Sequence, residues 1–127
     1  MDSDLLFACD VLQISTGIKI KAKKGKLELT SANELILTGE NGEILDRSLI
    51  AQAAFKFSSL DPGAVSVKMN GKKWYVSFEP PMKTSAFGAI GGIVAGMEHA
   101  KREDVIAARA KREEFRTLIE KNQTLAW

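Results

Sequence analysis

The fold is decided by residues 17–78, which read GIKIKAKKGKLELTSANELILTGENGEILDRSLIAQAAFKFSSLDPGAVSVKMNGKKWYVSF. Short runs in which apolar and polar residues alternate are separated here by turn-forming residues. Two of the breaks are Asn-Gly pairs, and this pair favours the type I′ hairpin turn because both central positions need positive φ. The breaks are Lys24-Gly25, Ser31-Ala32-Asn33, Asn41-Gly42, Asp61-Pro62-Gly63 and Asn70-Gly71. This punctuation predicts an antiparallel meander of about seven strands.

Several of the runs predict which side chains face the core. Residues 18–23 alternate isoleucine or alanine with lysine, which is typical of a half-buried strand. Residues 34–38 have an uninterrupted apolar centre, which predicts a strand buried on both faces. The second Asn-Gly pair joins residues 64–69 to 73–78. Val65, Val67 and Met69 are predicted to share one face, and Trp74, Val76 and Phe78 another, with Trp74 in the core or at its rim.

The hairpin of residues 19–26 carries a local run of positive charge. Five lysines lie here, beside a single acidic residue, Glu28: Lys19, Lys21, Lys23, Lys24 and Lys26. One interpretation is a solvated outer face whose lysines discourage edge-to-edge aggregation. The other is a site that binds anions or acidic lipid headgroups, with each ammonium acting as a point charge.

The chain before residue 17 is less clearly patterned. Residues 1–16 are interpreted as a lead-in to the meander of residues 17–79. Within it, residues 4–16 fit a short helix passing into extended chain, which we favour, or an edge strand. Cys9 is expected to be a small buried apolar residue, since no base is evident near it.

After Pro80-Pro81 the character of the chain changes. Residues 84–97 are apolar, uncharged and rich in glycine, and at 14 residues they are too short to span a bilayer as a helix. A helix is favoured over a flexible loop, since Gly88, Gly92 and Gly96 are spaced by four and would line one side. Such a helix needs tertiary contacts, because interior glycine costs up to about 1 kcal/mol.

Residues 98–122 predict an amphipathic C-terminal helix. Its narrow apolar stripe consists of Val105, Ala108, Phe115 and Ile119, with Leu118 beside it. Opposite charges at i, i+4 spacing, including Arg109–Glu113 and Arg116–Glu120, indicate a solvated face. His99 is expected to lie on that face, and Trp127 either docks in a groove or extends freely.

The order of these elements resembles that of GRAM and bacterial pleckstrin-homology-like (PH-like) domains. The resemblance lies in the run GKLELTSANELIL of residues 25–37, the hairpin after it, Phe55-Lys56-Phe57, the late strand GKKWYVSF of residues 71–78 and the final helix. It implies a mainly β (α+β) domain, an antiparallel seven-strand split barrel or meander capped by a long C-terminal α-helix. Such domains bind phosphoinositides, peptides or proteins, so the resemblance implies a binding role without naming the ligand.

Composition and spacing narrow the function further. The 127 residues include one cysteine and one histidine, so we expect no enzymatic activity and no bound metal or cofactor. The net charge is only +2, so we expect no nucleic-acid partner. The acidic N-terminal residues and single cysteine favour the cytoplasm. We expect an interaction module that binds protein or peptide and self-associates as a dimer, with at most weak affinity for anionic membranes through residues 19–26. The candidate self-association residues are Phe87, Gly88, Gly92, Gly96, Phe115, Ile119 and Trp127.

Overall fold

The structure, a computed structural model, describes residues 4–16, 23–80 and 99–124. These residues form one antiparallel sheet of seven strands followed by a long helix, which confirms the mainly β class. The strands are β1 (Leu5–Thr16), β2 (Lys23–Thr30), β3 (Glu34–Gly39), β4 (Ile44–Leu49), β5 (Ala54–Lys56), β6 (Ala64–Met69) and β7 (Lys72–Ser77), and the helix is α1 (Glu103–Thr124). Their order across the sheet is β4-β3-β2-β1-β7-β6-β5.

Strand β1 is central, so the helix favoured for residues 4–16 is wrong. It pairs with β2 along Leu5–Ile14 and with β7 along Gln13–Thr16. Its buried residues Phe7, Val11 and Ile14 are four and three positions apart, which imitates the spacing of a helix. The cause is an irregularity in register between Val11 and Ile14, which shifts the alternation of a strand by one residue.

The two Asn-Gly pairs make different turns. Asn70 and Gly71 have φ of 53° and 76°, as the predicted type I′ turn requires. At the other pair only Gly42 has positive φ, and its N–H donates to the carbonyl of Gly39 at 3.1 Å. That turn is therefore a three-residue loop with a glycine bulge, and the type I′ prediction is wrong there.

The predicted turn at Lys24-Gly25 is also wrong, because both residues lie inside β2. A Cβ atom on Gly25 would collide with the carbonyl oxygen of Thr38 and with Cδ1 of Ile14. The glycine is thus needed for close approach of neighbouring strands rather than for a turn. The strand predicted for residues 18–23 lies outside the described residues except for Lys23.

Strand β3 is buried on one face only. Leu35 and Leu37 are fully buried, whereas Ile36 between them is half-buried on the outer face of the sheet. The prediction of burial on both faces is therefore wrong, because the helix covers only the inner face.

The centre of the core is Phe115 of α1. Its ring centroid lies 5.4–6.1 Å from those of Phe7, Phe55, Phe57 and Phe78. Val105 and Ile119 are buried as predicted, and Ala108 and Leu118 pack against the core while partly exposed. Phe115 and Ile119 therefore fill the chain's own core, and their assignment to a self-association surface is wrong.

The C-terminal helix begins later than predicted. Residues 99–101 are helical, but Arg102 interrupts the helix, and α1 runs from Glu103 to Thr124. The Arg102 guanidinium instead turns to the carboxylate of Asp104 in the first turn of α1, at 2.6 Å. The proposed glycine-rich helix of residues 84–97 and the C-terminal Trp127 lie outside the described residues.

Candidate anion-binding face

The lysine run identified in the sequence is only partly described, and its described part is not a concentration of positive charge. Lys23, Lys24 and Lys26 are exposed on β2, whereas Lys19 and Lys21 lie outside the described residues. Lys24 and Lys26 line a shallow depression of about 530 Å³ on the outer side of β1, β2 and β3. Three acidic residues line the same depression, namely Asp10, Glu28 and Glu40. The nearby carboxylates offset the lysines, which weakens this hairpin as an anion site.

A second group of lysines lies on the outer face of β5, β6 and β7. Because side chains alternate along a strand, burial of Val67 and Trp74 places their neighbours Lys68 and Lys73 on the outer side. The strand register arranges this surface in two rows across the strands. The rows are Lys56–Ser66–Tyr75 and Ala54–Lys68–Lys73. We call the surface formed by Lys56, Ser66, Lys68, Lys73 and Tyr75 the basic face.

Within the part of the chain that the structure describes, the lysines of the basic face form no ion pairs. Lys68 and Lys73 are directly opposite each other across the β6–β7 pair, an arrangement of like charges that destabilises a sheet. None of the ion pairs found among the described residues includes Lys56, Lys68 or Lys73. The face therefore presents positive charge that no described ion pair neutralises.

Two depressions on the basic face could hold an anionic group. They have volumes of about 240 and 380 Å³, and both are lined by Lys56, Ser66 and Lys73. Asp61 also borders the smaller one, where its carboxylate accepts the hydroxyl hydrogen of Tyr75 at 2.7 Å and offsets part of the charge of Lys56 and Lys73. The larger depression is lined by Lys56, Lys68 and Lys73 with no described acidic residue, so it is the one that favours an anion.

Replacing Lys73 with threonine should stabilise the protein. The substitution removes one member of the like-charge pair and adds a residue with high strand propensity, so the melting temperature should rise by about 1 to 4 °C. Lys72→Thr is the matched control, because Lys72 lies at the next position on the side of Trp74. Calorimetry at low and high salt measures both variants. An equal rise for Lys72→Thr, or no dependence on salt, would count against repulsion between Lys68 and Lys73.

Tyr75 provides a direct probe of the basic face. Burial and then its hydrogen bond to Asp61 raise the pKa of the Tyr75 phenol above its ordinary value. Because the folded protein retains this proton longer than the unfolded chain, the stabilising contribution is present at neutral pH and is lost as pH rises above about 10.

Tyr75 is the only tyrosine, so tyrosinate absorbance reports this residue alone. We expect a midpoint above that of free tyrosine in the folded protein and an ordinary midpoint, about 10, in urea. A folded-state midpoint equal to that in urea would contradict the contact with Asp61.

A second polar cluster ties α1 to the end of β7. The carboxylate of Glu79 is buried and accepts a bond from Arg109 Nε at 2.8 Å, while His99 Nε2 lies 3.6 Å from its other oxygen. Gly63 leaves room for this carboxylate, because a Cβ there would collide with it. The predicted solvation of His99 is wrong, since its side chain is 6% exposed.

The Glu79 cluster also explains why one ion pair predicted on the helix, Arg109–Glu113, is not formed. Arg109 bonds to Glu79 rather than to Glu113, so that predicted pair is not formed, whereas Arg116–Glu120 is present at 2.9 Å. Glu79 was missed because an isolated acidic residue after a strand carries no distinctive sequence signal. The carboxylate has partners within the protein, and we interpret the cluster as a structural connection between helix and sheet.

Cys9 and the acidic and histidine side chains are the groups that could support catalysis or bind a metal ion. Cys9 is half-buried, and burial raises the pKa of its thiol, which disfavours the reactive thiolate. Within residues 4–16, 23–80 and 99–124, no three His, Cys, Asp or Glu side chains gather to form a metal site. No helix in the same ranges combines the length and apolar character needed to cross a bilayer. Compared with protein-family models and with curated proteins, the sequence has no match.

Proposed function

We propose that this chain is a non-enzymatic interaction module with a PH-like fold, and that it binds an acidic protein segment on its basic face. The observation that carries the proposal is the directly opposed pair Lys68–Lys73, next to Lys56 and without a described acidic partner. A bound row of carboxylates would relieve this repulsion, so the stability lost in the free protein would become affinity.

Two features support the PH-like interpretation of the fold. Seven antiparallel strands are followed by a helix packed on their inner face, in the order that such domains have. In addition, Asp46 on the end strand β4 accepts bonds from Trp74 Nε1 at 2.8 Å and from Asn70 Nδ2 at 2.6 Å. These bonds join one end of the sheet to the β6–β7 hairpin, as expected for a sheet that curls into a split barrel.

The inner face of the sheet is unavailable to a partner. Phe115 fills its centre, and Leu27, Leu35, Val67 and Val76 beneath the helix are fully buried. A ligand must therefore use an outer face, an edge of the sheet or the outer side of the helix.

An extended acidic peptide fits the geometry of the basic face. Alternate side chains of an extended chain are about 7 Å apart, which equals the spacing between the two rows of the face. A peptide along β6 would thus place one carboxylate near Lys56 and the next near Lys68 and Lys73. Anionic lipid is the weaker alternative, since three lysines supply only about 3 kcal/mol at a charged surface.

Fluorescence polarisation tests this proposal with a labelled (Glu-Ser)4 peptide and its (Gln-Ser)4 counterpart. We expect binding of the acidic peptide alone, weakened at least tenfold in the Lys68→Thr/Lys73→Thr variant and by added salt. Because this variant should also be more stable than the natural protein, unfolding cannot explain the loss. Lys72→Thr, which removes a charge from the other side of β7, should bind normally.

Three outcomes would overturn the proposal. They are no binding of the acidic peptide, an equal loss for Lys72→Thr, or binding that instead requires Lys23 and Lys24. Anionic phosphatidylserine vesicles are measured in parallel, and binding to vesicles without binding to the peptide would assign the face to lipid.

Self-association remains a separate expectation with a narrower basis. The stripe containing Phe115 and Ile119 is internal, so only the apolar sequence of residues 87–97 and Trp127, outside the described ranges, still favours a dimer. Light scattering at micromolar concentration measures the mass directly, and a value of 13.9 kDa for the full chain would reject the dimer.

A further inference from the structure

Leu60 lies in the loop between β5 and β6, and 94% of its surface is exposed to solvent. The other exposed large apolar residues of the described ranges reach 55% at most. Single apolar residues on a surface are common, so exposure alone has little meaning. The conformation of the loop around Leu60 is what makes it informative.

The loop is fixed by hydrogen bonds on both sides of Leu60. Inside the loop, the Leu60 N–H donates to Ser58 Oγ at 3.1 Å, and the Asp61 N–H donates to the Ser58 carbonyl at 3.2 Å. From outside, Arg112 Nη2 donates to the same carbonyl at 3.0 Å, and the Tyr75 hydroxyl donates to Asp61. Pro62 restricts the backbone further. Leu60 is therefore presented by an ordered loop, and binding through it would cost little conformational entropy.

The loop also adjoins the basic face. Ser58 and Asp61, on either side of Leu60, line the depression of about 240 Å³ whose other walls include Lys56 and Lys73. Leu60 itself lines a neighbouring depression of about 300 Å³ that shares Asp61 and Tyr75 with the first. An apolar side chain thus lies close to the lysines of the basic face, and a segment that extends from one depression into the other passes beside Leu60.

We infer that the segment bound by the basic face carries a large apolar side chain next to its carboxylates, and that this side chain packs against Leu60. The inference rests on the proposed function and specifies the partner's sequence as acidic residues adjoining a leucine-like residue. The lysines provide the charge-dependent binding and orient the segment, and burial of a leucine-like side chain against Leu60 adds apolar contact. This contact would add about tenfold to the affinity that the lysines provide.

The test compares three peptides: (Glu-Ser)4, the same peptide with leucine added at its N-terminus, and the same peptide with leucine added at its C-terminus. Both ends are used because the direction of the bound chain is open. We expect one leucine peptide to bind the natural protein about tenfold more tightly than the parent. Leu60→Ser should abolish that preference and leave the affinity for (Glu-Ser)4 unchanged.

Ile44→Ser is the control, because Ile44 is an exposed apolar residue, 54% accessible, at the start of β4. This variant should retain the preference for the leucine peptide. Thermal melts of both variants confirm folding, which these exposed substitutions should leave intact.

The outcomes separate this inference from the function on which it rests. Lysine-dependent binding without a leucine preference, or a preference that persists in Leu60→Ser, would overturn the inference alone. Failure of all three peptides to bind would overturn both. Vesicle binding that is lost in Leu60→Ser, without peptide binding, would mean that the loop inserts into lipid and would also overturn both.

Discussion

Replacing Phe115 with alanine is expected to lower the free energy of unfolding by about 3 to 5 kcal/mol. Phe115 is fully buried and contacts four other phenylalanine rings. Phe7 lies on β1, Phe78 directly follows β7, Phe55 lies on β5, and Phe57 directly follows β5. Alanine would leave a cavity at the point where the helix joins both halves of the sheet. Urea denaturation followed by tryptophan fluorescence measures the change.

The loss expected for Phe115→Ala is large relative to the total free energy of unfolding of a domain. Domains are stable by about 5 to 15 kcal/mol, so a loss of this size would leave a domain at the lower end of that range marginal or unfolded. Ile106→Ala is the control on the same helix, because Ile106 is 55% exposed. It should change stability by less than about 0.5 kcal/mol. Similar losses for the two variants would contradict the placement of α1 on the inner face.

Arg112→Met is expected to cost about 3 kcal/mol. The Arg112 side chain is 3% exposed, and its guanidinium donates to the carbonyl of Ala64 at 3.1 Å and to that of Ser58 at 3.0 Å. It also lies over the ring of Phe57, with Cζ 5.1 Å from the centroid. Methionine preserves the packing of the stem but leaves both carbonyls without this donor. Urea denaturation again measures the loss.

The same substitution should affect binding. Since Arg112 fixes the Ser58 carbonyl, its loss should loosen the loop and reduce the preference for the leucine peptide without removing the lysine-dependent binding. Arg116→Met is the matched control, because Arg116 also faces Phe57 but is 42% exposed and bonds mainly to Glu120. It should change stability little. A large loss for Arg116→Met, with none for Arg112→Met, would contradict the assigned contacts.

Local patterns predicted the parts of the fold in which sequence neighbours make the structure. The Asn70-Gly71 turn fixes the β6–β7 hairpin, so the shared face of Val65, Val67 and Met69 was predicted correctly, and this face is buried. The same holds for the buried stripe of α1, where the period of the helix decides which residues face the core. These elements need no knowledge of distant contacts.

Features that depend on distant residues were missed. The irregular register of β1 depends on its two different partners, and Gly25 is a glycine because Thr38 and Ile14 approach it. His99 is buried because Glu79, 20 positions earlier in the sequence, supplies a partner for it. None of these contacts has a signature in the local sequence.

The basic face depends partly on sequence neighbours and partly on distant residues. A two-residue turn at Asn70-Gly71 already implies that Lys68 is opposite Lys73, so this pair could have been found by counting outward from the turn. Lysines that are close together in the sequence stand out more than a cross-strand pair, and the prediction therefore fell on residues 19–26. Lys56, by contrast, joins the face only through the β5–β6 pairing across a long loop, which the sequence does not specify.

The central claim is that the basic face binds an acidic segment, and nuclear magnetic resonance tests it most directly. The ¹⁵N-labelled full chain is titrated with (Glu-Ser)4, and shifts of backbone amides map the contact. We predict the largest shifts at Lys56, Ser66, Lys68, Lys73 and Tyr75, and their loss in Lys68→Thr/Lys73→Thr. Shifts concentrated at residues 23–26, or no shifts at millimolar peptide, would contradict the account.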